Sequence, residues 1–317
     1  MLQSDAHFLI WGDLMKKRLL SYILTVLIVT TLIPGFSVAS AATNINIGDY
    51  IEMGEYYGEP ILWRCVDIDE NGPLMLSTNI LCFKCFDAVG DKRYGSHALA
   101  VKGRQLFGSN YWGDSNIRSW LNSDESEGNV NWLCQNPPVF GKYNVRPYDK
   151  EKGFLANFTS EEKMLIKKTV QKQLLPVPEV EIGKSTSGSQ YYTSIYYDSE
   201  PHYRYDDAYG EDIEDSVFLL NIKQYNSIVE KNGKNVILGY PTKECAEKES
   251  ILGYVTYDEN KSYSTWLSTP QSDHNGAGVY YIDENGEIYN NTAPTDCLGI
   301  RPAFYLNNDI ALQKSDY

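Results

Sequence analysis

Ile61-Leu62-Trp63-Arg64-Cys65-Val66-Asp67-Ile68, then Asp69-Glu70-Asn71-Gly72, then Leu74-Met75-Leu76-Ser77 form an apolar run, a polar interval and a second apolar run. β-Branched, aromatic and aliphatic residues fill the runs and turn formers fill the interval, so the stretch reads as a β-hairpin. The interval also sets Asp67, Asp69, Asn71 and Gly72 where a calcium-binding helix-loop-helix has its first ligands and its glycine. That loop needs a bidentate Glu at its last position, which here is Thr78, and strand-like sequence flanks the turn. The hairpin reading prevails.

Outward from the hairpin, Ile51 opens a short preceding strand. Ile117, Trp120 and Leu121 recur at helical spacing after Asp114 or Ser115, either of which serves as an N-cap. Thr159 and Glu162 have the spacing of a capping box ahead of Met164-Leu165-Ile166. Val217-Phe218-Leu219-Leu220 reads as a strand, Asn221 as the cap of a helix through Tyr225, Ile228 and Val229, and Pro241 to Ala246 as a short helical turn. The chain closes with strands at Ser264–Ser268, at Val279–Ile282 joined through Asp283-Glu284-Asn285-Gly286 to Glu287-Ile288-Tyr289, and at Gly299–Leu306. Strands at both ends with helices between predict an α+β domain whose N- and C-terminal strands pair in one mixed or antiparallel sheet, with short helices and long loops.

From about 176 to 215 the composition turns to Ser, Tyr, Asp and Gly, with Tyr196-Tyr197-Asp198 and Tyr203-Arg204-Tyr205-Asp206-Asp207. A segment so polar supplies little core, and its tyrosines suit a surface excursion more than a solvated linker. Tyr presents a stiff ring with a hydroxyl tip, so Tyr196, Tyr197, Tyr203 and Tyr205, with Tyr111 and Trp112, are the candidate ligand contacts. Asp206, Asp207 and Asp212 are candidate oxygen ligands for calcium. The alternative for that acidic run is a solvated, self-repelling loop. Trp63, Trp120, Trp266, Arg118 and Arg301 fall inside core-like segments and are read as structural, the two arginines as struts to carbonyls or carboxylates.

Met15-Lys16-Lys17-Arg18, an apolar run from Leu19 to about Phe36 and Ala39-Ser40-Ala41 have the layout of a secretory signal peptide, expected to be cut after Ala41. Residues 1–14 precede that leader. Trp11-Gly12-Asp13 would be encoded by a purine-rich stretch resembling a ribosome-binding site, so translation is expected to start at Met15. Residues 42–317 are then one domain with no membrane segment. Cleavage removes three basic and two acidic residues and moves the formal charge from −14 to −15, a surface that repels phosphate backbones and anionic lipid heads and argues against nucleic-acid binding. Six cysteines lie in the exported part, too few over this length for a disulfide scaffold. Cys82 and Cys85 have zinc-ligand spacing, with no second pair to complete a tetrahedral site.

Several segments together resemble a family of secreted proteins from Gram-positive bacteria known chiefly as a domain of unknown function. They are Ile61–Val66 with Leu74–Ser77, Ser115–Asn122, Asp215–Leu220, Trp266–Pro270 and Gly299-Ile300-Arg301-Pro302-Ala303. The resemblance implies a C-type-lectin-like fold, akin to formylglycine-generating enzymes and to phage and bacterial surface-binding proteins. Where such sequences often carry Trp-Trp-Leu-Arg-Ser-Pro, this chain has Thr265-Trp266-Leu267-Ser268-Thr269-Pro270. The arginine is missing, which puts any shared contact there in doubt.

Three function classes follow. An enzyme of formylglycine-generating type would need two cysteines holding copper, and nothing in the spacing of Cys245 and Cys297 brings them together. For hydrolysis, His97, His202 and His274 stand without a nucleophile motif. A structural cell-surface interaction protein is the second class. The expectation is the third: a secreted, non-catalytic recognition module whose loops bind a glycan, cell-wall or surface-protein ligand, with calcium as the candidate cofactor.

Overall fold

The computed structural model describes residues 45–88, 108–132, 136–141, 144–181, 207–249, 255, 257–258, 260–271, 277–295 and 298–307. The hairpin lies at its centre. β1 (Tyr50–Tyr56) turns at Tyr57-Gly58 into β2 (Glu59–Asp69), which turns at Glu70-Asn71 into β3 (Gly72–Ser77). Trp63 sits opposite Ser77 and Asp69 opposite Gly72, with a bulge between Cys65 and Asp67. Two short strands, β4 (Asn79–Ile80) and β5 (Cys82–Phe83), lead away from it.

The middle of the chain supplies α1 (Asn116–Leu121), α2 (Ser160–Leu165), β6 (Ile166–Lys167), β7 (Thr169–Leu174), α3 (Val177–Glu181), β8 (Gly210–Asp215), α4 (Ile222–Asn232), β9 (Tyr240–Pro241) and α5 (Lys243–Glu249). β10 (Thr265–Pro270), β11 (Gly278–Ile282), β12 (Ile288–Thr292), β13 (Gly299–Ile300) and β14 (Ala303–Leu306) end it. Two five-stranded sheets result, ordered β1-β2-β3-β14-β6 and β12-β11-β10-β13-β5, with β4-β9 and β7-β8 as two-stranded pairs. Pairing is antiparallel except for β10-β13 and β4-β9. The architecture is α+β.

Helix starts follow the side chains the sequence offers. The Ser115 hydroxyl accepts from the Arg118 amide, and Thr159 with Glu162, like Asn221 with Gln224, closes a capping box. Each cap satisfies amides the helix cannot, a contribution of about 1 kcal/mol.

Three expectations change. Gly299–Leu306 is not one strand, because Pro302 brings no N–H and the chain breaks at Arg301-Pro302. β13 joins the second sheet and β14 the first, so this segment ties the two together. β14 pairs with β3 and β6, and β1 pairs with β2, so the terminal strands share a sheet without touching. Val217–Leu220 forms no strand either: Phe218 exchanges two backbone hydrogen bonds with Ala303 while the Leu220 carbonyl accepts from Ser268. It bridges the sheets instead of extending one.

The excursion is also shorter than its composition implies. Gly210–Asp215 is β8, paired residue for residue with β7 and burying Ile213 and Asp215. Four of its six residues are acidic and Ile213 is its single apolar side chain, so composition hid a strand whose outer face carries Asp212 and Glu214. Residues 42–317 form one compact unit. Among the described residues, no helix is long and apolar enough to cross a membrane.

Candidate functional site

Four tryptophans are fully buried, and each indole N–H finds an acceptor: Trp63 on the Met53 carbonyl, Trp120 on Lys152, Trp266 on Lys84 and Trp112 on Asp215 Oδ2. Around Trp120 an aromatic block forms, with Phe154 at 5.2 Å, Tyr56 at 6.0 Å and Tyr148 at 6.2 Å between ring centres. One cation lies inside it. The Lys84 side chain is 3% exposed, its ammonium 4.9 Å from the Trp120 ring centre, 4.8 Å from that of Tyr148 and 2.6 Å from Glu151 Oε1. Burial, the largest influence, pulls the lysine pKa down, but Glu151 and the other neighbours outweigh it and hold it above the ordinary value.

Glu151 links this interior to the surface. Its other oxygen accepts from the Tyr56 hydroxyl at 3.2 Å, and at 35% exposure the carboxylate reaches a cleft of about 670 Å³. The β1–β2 turn, the loop after α1 and the Glu151–Asn157 segment enclose it, and Glu55, Tyr56, Tyr57, Asp124, Glu127 and Lys152 stand on its walls. Burial, with Cys82 and Glu151 nearby, raises both tyrosine pKa values, so the hydroxyls stay protonated and able to donate.

Tyr57 is held in an unusual conformation. It and Gly58 have φ of 53° and 87°, two left-handed residues in the two-residue connection that favours Asn-Gly. For an L-residue with a Cβ this costs roughly 1–2 kcal/mol. The half-buried ring lies against Tyr56, 4.5 Å between centres, at the cleft. Strain of this kind persists where surroundings over-determine it and is concentrated at functional sites.

The residues singled out from the sequence fall elsewhere. Tyr111 and Trp112 are fully buried, which removes them as surface contacts; Trp112 packs on Phe86 at 6.0 Å. Tyr196, Tyr197, Tyr203, Tyr205 and Asp206 lie outside the described residues, as do His97, His202, His274, Cys134 and Cys297. Asp207 is paired with Lys223 at 2.8 Å, and Asp212 with Lys172, its cross-strand partner, at 2.7 Å. Among the described residues no group of three or more His, Cys, Asp or Glu is placed to hold a metal ion. Cys245 is buried in an apolar cluster with Ile80 and Phe83, and burial pushes its thiol up; Cys82 is likewise buried and pushed up to about 12.

Both arginines act as internal struts. Arg118 Nε donates to Asp215 Oδ1 at 2.7 Å, with further bonds to the Gly113 and Glu214 carbonyls. Arg301 donates through Nε and a terminal nitrogen to the Ser77 carbonyl, and also reaches Leu238 and Val236.

A pH dependence follows from two buried carboxylates. Burial raises the pKa of Asp215 against the opposing pull of Arg118 and Trp112, and raises that of Glu249 against Arg146, which it meets at 2.5 Å. With folded values above the unfolded ones, about 3.9 and 4.3, the folded state binds more protons. Their stabilising contribution is complete below those unfolded values and is lost as pH rises through the folded ones. These two groups are therefore expected to raise the unfolding midpoint as pH falls from neutrality toward those unfolded values. Asp215→Asn should flatten that rise; an unchanged slope would contradict the assignment.

The fold and cleft define a two-sheet α+β domain with an acidic, aromatic-walled recess. Residues 71–308 match the family model described as Domain of unknown function (DUF6273), and the chain belongs to that family. No curated protein and no solved structure matches it. The matched region begins at Asn71, inside the β2–β3 turn, so β1, β2 and Tyr57 precede it although β2 is hydrogen-bonded to β3. Glu127, Glu151 and Lys152 fall within it.

Proposed function

We propose that the chain is an exported, non-catalytic recognition module of C-type-lectin-like build, and that the Tyr57 cleft binds a cell-wall glycan. The observation that carries this reading is a tyrosine held in a left-handed conformation with its ring at a cleft edged by carboxylates. A ring of this kind stacks on the C–H face of a sugar, and carboxylates such as Glu55, Glu127 and Glu151 accept its hydroxyls. The cleft volume suits a short saccharide. Excess negative charge on the walls and on the chain as a whole disfavours phosphate-bearing polymers.

The test is an array of glycans and cell-wall fragments probed with residues 42–317, once with calcium and once with chelator. Calcium-independent binding to neutral or amine-bearing glycans supports the cleft. Binding lost in chelator moves the site toward the acidic run that includes Asp206, and an empty array rejects glycan recognition.

A further inference from the structure

The walls of the Tyr57 cleft carry four carboxylates, those of Glu55, Asp124, Glu127 and Glu151, against one cation, Lys152. Asp124 is paired with Lys163 at 3.3 Å and Glu151 with Lys84 at 2.6 Å. Among the described residues Glu55 and Glu127 form no ion pair, and both are exposed. A negative excess therefore remains once each paired carboxylate is set against its lysine.

The same walls are rich in acceptors, and their donors are engaged. The Tyr56 hydroxyl donates to Glu151 Oε2 at 3.2 Å and the Asn157 amide nitrogen to the Phe154 carbonyl at 2.9 Å. A carboxylate offers about four lone-pair sites, of which Lys84 and Tyr56 each take one on Glu151. At 35% exposure this carboxylate still meets the cleft. A ligand that brings hydrogens fits such walls best. An ammonium brings three donors and no acceptor, whereas an acetamide brings one N–H and a carbonyl oxygen that carboxylates repel.

The protein already builds one ammonium site on the inner side of Glu151. There the Lys84 ammonium bonds Oε1 and lies 4.9 Å and 4.8 Å from the ring centres of Trp120 and Tyr148. On the cleft side the same carboxylate shares the wall with the half-buried ring of Tyr57. Negative charge beside a π-face suits a second ammonium.

We infer that the Tyr57 cleft selects amino sugars whose nitrogen is unacetylated, recognising the ammonium through the Tyr57 ring and the carboxylates of Glu55, Glu127 and Glu151. This rests on the cleft being a glycan site and goes further in naming the group that is recognised.

The experiment is calorimetric titration of residues 42–317, which form one compact unit, at neutral pH and low ionic strength. The ligands are a β-1,4-linked glucosamine tetramer, the N-acetylglucosamine tetramer of the same linkage, and methylamine as the bare cation. Exposed ion pairs and a cation–π contact should make the glucosamine tetramer the tighter ligand by about tenfold. Glu55→Gln combined with Glu127→Gln, both at exposed positions, should shrink that ratio to about threefold or less. Tyr57→Asn should weaken binding of the glucosamine tetramer about tenfold or more. If the N-acetylated tetramer binds as tightly and Tyr57→Asn weakens it, the inference is overturned while the glycan cleft stands. A preference that survives the double Gln variant, displacement by methylamine at equal concentration, or binding that Tyr57→Asn leaves intact also overturns it. So does a glucosamine tetramer that fails to bind, the glycan reading itself being decided by the array.

Discussion

Glu151→Ala is expected to destabilise the fold by about 3–5 kcal/mol, whereas Lys84→Met, at the other end of the same ion pair, should change stability by no more than about 1 kcal/mol. The asymmetry comes from burial. Lys84 is 3% exposed and boxed by Trp120 and Tyr148, so without Glu151 its charge is stranded in an aromatic interior. Glu151 is 35% exposed and retains the Tyr56 hydroxyl and water when the lysine is gone. Methionine then fills the space among the rings, where its thioether packs favourably. Urea unfolding of the two variants measures both values, and equal losses would show that the charge is not confined as described.

Arg301→Met should cost about as much, for a different reason. No carboxylate opposes this guanidinium among the described contacts; it donates to three backbone carbonyls, those of Ser77, Val236 and Leu238. Burial, with Arg64 nearby, lowers its pKa to about 10, which keeps it charged at neutral pH. Removing it leaves the buried Ser77 carbonyl unsatisfied at roughly 1–3 kcal/mol and takes a donor from the part-buried carbonyls of Val236 and Leu238. They lie at the break between β13 and β14, where the chain passes from one sheet to the other. The loss is therefore expected to uncouple the sheets, lowering the unfolding midpoint and broadening the transition. A sharp transition at the native midpoint would show that Pro302 and the strand pairing hold the crossing without it.

Local chemistry made much of the fold legible. The Asp69–Gly72 turn, the caps at Ser115, Thr159 and Asn221, and the Asp283–Gly286 hairpin depend on residues a few positions apart, and all appear where their spacing puts them. What escaped depends on distance along the chain. Lys84 and Glu151 are 67 residues apart. Nothing local to Cys82-Phe83-Lys84-Cys85 marks the lysine as buried or names its partner. Tyr111 and Trp112 were misplaced because an aromatic pair beside a helix start serves a core and a binding loop equally well. Tyr57 carried a faint signal, an aromatic residue immediately before Gly58 between two strands, which becomes distinctive once its left-handed φ is known.

Tyr57→Asn tests the central claim most directly, because asparagine relieves the left-handed strain while removing the ring. Relief of roughly 1–2 kcal/mol offsets the packing lost with a half-buried tyrosine, so thermal stability should stay within about 1 kcal/mol of the parent. Binding to whichever cell-wall glycan the parent retains should fall about tenfold or more. Stability preserved with that binding lost is the result this account predicts; stability preserved with binding intact would contradict it.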